Sequence, residues 1–72
     1  MHSHPSQPGL SVLRRPQVET RTGLSRSSLY ALIASGRFPA PIRLTPNTVG
    51  WLEHEIERWI AQRIQATRQQ GL

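Results

Sequence analysis

The residues with the clearest chemical use stand together at Arg26-Ser27-Ser28, with Tyr30 close behind. A guanidinium, two hydroxyls and a phenol are hydrogen-bonding groups suited to phosphate oxygens and base edges. Arginine in particular offers a two-pronged donor that matches guanine O6 and N7. Such chemistry needs no activated nucleophile. It needs a rigid element that presents these side chains outward, and the flanking residues predict one.

Ser25 is a good helix N-cap, because its hydroxyl can accept from an otherwise unpaired amide at the helix start. Counted from that cap, Leu24 and Leu29 occupy the two positions of a hydrophobic staple. Gly36 supplies a left-handed residue that ends the helix. Leu29, Leu32 and Ile33 recur at helical spacing and form one apolar stripe. Arg26, Ser27 and Ser28 then lie in the exposed first turn, around the positive end of the helix. An ordinary solvated first turn is the competing reading, so the rest of the chain has to decide.

The preceding segment predicts a second short helix. Pro16 suits the first helical position, since its missing N–H would have been unpaired there. Glu19 in the first turn suits the helix dipole. Gly23 stops the helix, and Leu24 then falls where a hydrophobic contact back to Val18 accompanies a glycine-terminated end. Leu24 closes one helix and staples the next. Two short helices joined by a Gly-Leu-Ser turn are the sequence form of a helix-turn-helix. Upstream, residues 10–14 read as a short extended segment whose apolar residues lie against the domain. Arg14 and Arg15 follow it, either reaching phosphate or simply solvated.

After Gly36, Pro39 and Pro41 forbid helix. Ile42-Arg43-Leu44 and Val49-Gly50-Trp51 alternate around a Pro46-Asn47 turn, which predicts a two-stranded hairpin. Ile42, Leu44, Val49 and Trp51 are expected to face inward, with Arg43 and Thr48 outward and Asn47 at the tip. A hairpin after a helix-turn-helix is a wing. Arg37 and Arg43 share the sign of Arg26, which favours a wing that touches nucleic acid over an edge-strand charge that only deters aggregation. From Glu53 to about Gln69 the chain reads as one helix, with Leu52, Ile56, Trp59, Ile60 and Ile64 on a continuous face. No capping side chain precedes it. Trp51 and Trp59 sit on apolar faces and read as core rather than base-stacking residues.

The charge balance supports an anionic partner. The 72 residues carry nine Arg, no Lys and four acidic residues, a net of +5. Residues 1–52 hold six arginines against Glu19 alone, a net of +5, while three Arg and three Glu cancel in residues 53–72. A basic lobe beside a neutral helix points to nucleic acid. A membrane surface fits less well, because the basic part contains no amphipathic helix with a broad apolar face.

Other classes are poorly served. The hydrophobic fraction of 36% leaves a thin core with no room for a deep substrate cavity. There is no cysteine, hence no disulfide or thiolate site, and no aspartate. Glu53, Glu55 and Glu57 do not converge, His54 lacks a ligand-spaced companion, and no phosphate-cradling glycine loop occurs. Residues 1–9 mix Pro, Ser, His, Gln and Gly, and read as a disordered tail rather than a signal peptide. Metal binding by His2 and His4 there would be adventitious.

The stretches Thr22–Tyr30, Gly36–Ile42, Val49–Leu52 and Ile56–Ile60 resemble the AlpA family of phage and prophage regulators. The resemblance covers about residues 12–64. It implies a mainly α fold with a small β-hairpin wing, a MerR-like winged helix-turn-helix related to excisionases. It also implies a DNA-binding transcriptional regulator, often of integrase or excision genes. By that resemblance Arg26, Ser27, Ser28 and Tyr30 lie on the recognition helix and Arg43 on the wing. Two positions depart from the family pattern. Ala31 stands where members often carry a basic residue after the tyrosine, and Asn47 lies where many carry one in the wing turn.

The expected organisation is a tail at 1–9, a DNA-binding domain at 10–69 and a frayed end at 70–72. The expected site comprises Arg26, Ser27, Ser28, Tyr30, Arg37, Arg43 and Asn47. The expected partner is double-stranded DNA in the bacterial cytoplasm, at the nucleoid, without cofactor, metal or catalysis. Self-association or contact with a recombinase or transcription partner would use the C-terminal helix. The alternative is a protein-interaction module or recombinase accessory subunit that docks through the apolar face of residues 52–64.

Overall fold

A computed structural model describes residues 10–70 of the chain. The tail at 1–9, the metal reading of His2 and His4, and the fraying of residues 71 and 72 lie outside the described residues.

Six elements follow in order: β1 (Val12–Leu13), α1 (Arg15–Thr22), α2 (Arg26–Ala34), β2 (Ile42–Thr45), β3 (Thr48–Leu52) and α3 (Glu53–Gln69). The helix-turn-helix is built as its local signals require. Gly23 adopts φ +75° and its N–H donates to Glu19 O at 2.8 Å. Only glycine takes that left-handed conformation without strain, so the chain reverses there and enters α2. Val18 and Leu29 are fully buried, and Leu24, in the turn that joins the two helices, packs against the same core.

Two details of α1 differ from the sequence expectation. The helix begins at Arg15, so Pro16 is its second residue, and the Arg14 N–H donates to Gln17 Oε1 at 2.8 Å. Glu19 therefore lies beyond the first turn. It accepts from Arg15 Nη1 at 2.6 Å, one helical turn away, instead of serving the dipole.

The hairpin departs further, and the cause is one residue. Thr45 pairs with Thr48 across the Pro46-Asn47 loop. A regular ladder from there would set Leu44 opposite Val49 and Ile42 opposite Trp51, on one face. Instead the register shifts between Arg43 and Thr45, giving the pairs Arg43–Val49 and Ile42–Gly50. Leu44 is the extra residue of a bulge, and a one-residue slip moves every later side chain to the other face. Ile42 and Leu44 thus leave the Trp51 side and are 37% and 43% exposed. Arg43, expected to point away from that side, lies opposite Val49 and is exposed.

The sheet also has a third strand. β1 pairs antiparallel with β3, Val12 with Leu52 and Leu13 with Trp51, so the strand order is β1-β3-β2. Leu13 is buried, whereas Val12 joins Ile42 and Leu44 on the open face. Gly50 is the floor of that face. A Cβ there would stand 2.4 Å from Val12 Cγ1, 3.0 Å from Leu13 O and 3.2 Å from Leu44 Cδ1. The close approach of three strands, not a turn, requires glycine at this position.

β1 also resolves the missing cap of α3. Leu52 precedes the helix in extended conformation with no capping side chain, and the Glu53 N–H donates to Ser11 O at 2.8 Å. The carbonyl of the residue just before β1 thus satisfies one of the unpaired amides at the helix start. The core comprises Leu13, Val18, Leu29, Phe38, Trp51 and Ile56, with Trp59 and Ile60 packed on it. Both indoles belong to it rather than to an exposed stacking surface. Trp51 Nε1 donates to Pro39 O at 3.0 Å, and Trp59 Nε1 to Arg37 O at 2.7 Å. Phe38 meets Trp59 edge to face at 4.8 Å. These contacts hold the non-helical segment 37–41 against β3 and α3.

Candidate nucleic-acid interface

The site begins with the start of α2. Ser25 Oγ accepts from the Ser28 N–H at 3.2 Å and donates to Ser28 Oγ at 3.1 Å. One orphan amide is satisfied, and the Ser28 hydroxyl is held beside the cap. The other end of α2 is equally defined. Gly36 at φ +75° donates to Ile33 O, and the Arg37 N–H donates to Leu32 O at 2.8 Å. This doubled pattern is a Schellman closure. Between these ends Leu29 is buried and Leu32 and Ile33 are half-buried, which locks the rotation of the helix.

That rotation exposes Arg26, Ser27, Ser28 and Tyr30 together. The first turn contains no acidic residue. The Arg26 guanidinium lies 6.0 Å from the Tyr30 ring centroid, at the outer limit of a cation–π contact. Tyr30 remains 41% exposed. The helix start therefore offers a charged fork and two hydroxyls on one positively polarised turn, with a phenol one turn further along.

The remaining expected residues form two further groups. Arg37 follows the closure of α2, and together with Leu32, Trp59 and Arg63 it lines a depression of about 280 Å³. Arg43 and Asn47 lie in the wing. Arg43 Nη1 donates to Pro46 O at 2.8 Å, which folds the side chain over its own turn. The Asn47 N–H donates to Thr45 Oγ1 at 3.3 Å and leaves its side chain exposed at the tip. Among the described residues no hydrogen bond joins the helix group to the wing group.

The arginines of the basic lobe are not equivalent. Arg15 is paired with Glu19. Arg21 reaches across to α3, 2.6 Å from Glu53 Oε2 and 3.7 Å from Glu57 Oε2. Two of the three late glutamates are thus spent on α1, and the division of charge along the chain is not its division in space. Among the described residues Arg14, Arg26, Arg37, Arg43, Arg58, Arg63 and Arg68 form no salt bridge. Arg63, in a stretch whose charges sum to zero and where a late arginine reads as complementing the helix dipole, lies four residues after Trp59 and lines the same depression as Arg37.

Residues 11–64 match the family described as prophage CP4-57 regulatory protein (AlpA), a span that runs from the edge of β1 to the exposed part of α3. The chain belongs to the AlpA family. It is similar to an uncharacterised protein, ORF88, of enterobacteria phage P4, at 46% identity over 59 residues. That alignment covers 82% of the chain and 66% of the phage protein. It is also similar to the DNA-binding transcriptional activator AlpA of Escherichia coli K12, at 34% identity over 72% of the chain and 83% of the activator. The AlpA fold seen here is a mainly helical winged helix-turn-helix with a small three-stranded sheet. No helix among the described residues is long and apolar enough to cross a membrane, and no group of three or more potential metal ligands occurs among them.

Proposed function

We infer that this AlpA-family chain is a sequence-specific binder of double-stranded DNA that regulates phage or prophage transcription. The observation that carries this is the first turn of α2, acid-free, exposed and fixed at both ends. In this reading α2 enters the major groove by its N-terminus. Arg26 reads a base edge, Ser27 and Ser28 bond bases or phosphates, and Tyr30 bonds phosphate. Arg37, Arg43 and Asn47 hold the backbone beside the helix and at the wing. The similarity to a DNA-binding transcriptional activator supports the reading. Control of integrase or excision genes is its finer form. One α2 spans few base pairs, so paired or tandem sites are expected.

Docking of a protein partner through residues 52–64 has less support. Ile56 is buried, and Trp59 and Ile60 are packed against the core, so Ile64 is the apolar residue of that face left well exposed.

The test is fluorescence anisotropy with labelled duplex from the gene's own upstream region and with a scrambled duplex, at two salt concentrations. Binding should weaken steeply with salt and prefer the native duplex. Arg26→Ala should cost about 1–3 kcal/mol on the native duplex and relax its preference. Normal binding by that variant would remove Arg26 from base readout. Equal weak binding of the wild type to both duplexes would remove sequence-specific regulation.

A further inference from the structure

The late half of α3 carries charge that the fold leaves without a carboxylate. Glu53 and Glu57 face Arg21 on α1. Along the helix, Arg63 has Trp59 and Ile60 one turn before it and Ala66 and Thr67 one turn after. No acidic side chain stands at a spacing from which it could neutralise Arg63. Arg63 is exposed.

Arg37 is fixed beside it from the other direction. The Arg37 N–H donates to Leu32 O at 2.8 Å, and its carbonyl accepts from Trp59 Nε1 at 2.7 Å. Its backbone is therefore tied to the end of α2 and to α3 at once, while its guanidinium forms no salt bridge. Both arginines line the same depression, whose other walls are Leu32 and Trp59. Two arginines lining one concavity, neither in a salt bridge, concentrate anions there. Their forked donors suit the paired oxygens of a phosphate, and the apolar walls suit an adjoining sugar.

We propose that Arg37 and Arg63 together seat one phosphodiester of the DNA backbone in the depression between the end of α2 and α3. The proposal rests on the DNA reading above and adds α3 to the bound surface. α3 then does two jobs with one sequence. Its acidic first turns brace α1 through Arg21, and its later turn grips the backbone.

The experiment is a salt titration of the full chain on native and scrambled duplex, comparing wild type with Arg63→Ala, Arg63→Lys and Arg68→Ala. Arg63 lies outside the core, so these variants keep the fold, which a thermal melt verifies. Arg63→Ala should weaken both duplexes by the same factor and lower the slope of log K against log salt by about 1. Arg63→Lys should recover the slope and only part of the affinity. Arg68→Ala, with the same loss of charge, should leave the slope near the wild-type value. An unchanged slope in Arg63→Ala, or an equal change in Arg68→Ala, overturns the seat while the DNA reading stands. Quenching of Trp59 by inorganic phosphate, with no effect of Arg63→Ala on duplex, would mark a free-anion site and also overturn it. A wild type that binds neither duplex removes the DNA reading and the seat together.

Discussion

The start of α2 and the wing carry the same kind of side chain in opposite states. Arg26 projects from a capped helix with only a ring face 6.0 Å away. Arg43 is folded onto the Pro46 carbonyl at 2.8 Å. The helix presents its groups at no local cost, because its termini, its buried stripe and its first turn agree. The wing holds the Arg43 guanidinium over its own turn, so a phosphate beyond that turn competes with an internal hydrogen bond and the net gain is smaller. Preorganisation, more than residue type, separates a specificity element from an auxiliary one.

The largest effect is expected at the support of α2. Leu29 is fully buried beneath the presented turn. Leu29→Ala should cost about 2–5 kcal/mol in urea unfolding, from lost burial and the cavity left behind. In a domain this thin that is most of the available stability. A loss below about 1 kcal/mol would mean that α2 is held by its caps and not by its stripe.

Gly50 provides the matching test under the sheet. Gly50→Ala places a methyl against Val12 and the Leu13 carbonyl. The expected cost is about 1–3 kcal/mol, because the strands must separate to admit it. Duplex preference should survive where the protein remains folded. Loss of preference in the folded fraction would show that the sheet, and not α2 alone, sets base readout.

Removing the Ser25 cap sharpens the contrast at a single hydroxyl. Ser25→Ala should cost about 1 kcal/mol of stability by chemical denaturation, the usual worth of an N-cap. Ser25→Gly should cost less. If Ser25→Ala were neutral, the order of the first turn would have to come from packing.

The smallest effect is expected in the wing. Arg43→Ala should weaken native and scrambled duplexes alike, by less than Arg26→Ala, and lower the salt slope by about 1. A selective loss on the native duplex would place Arg43 in base readout and erase the distinction drawn here.

Local chemistry was enough to read the helix-turn-helix from the amino-acid sequence. Ser25, Gly23, Gly36 and the Leu29-Leu32-Ile33 stripe act within a few residues of themselves, and the structure returns the helices they imply. The extent of α3 was legible for the same reason. Tertiary structure alone decided three matters. The bulge at Leu44 turned Ile42 to the open face, because register depends on a partner strand. Ser11 completed the start of α3, because a carbonyl from a distant segment leaves no trace in helix propensity. Arg21 drew Glu53 and Glu57 to α1, so the local neutrality of residues 53–72 is not neutrality in space. Short-range hydrogen bonding is written in neighbouring residues, whereas charge pairing and strand register are settled only when distant segments meet.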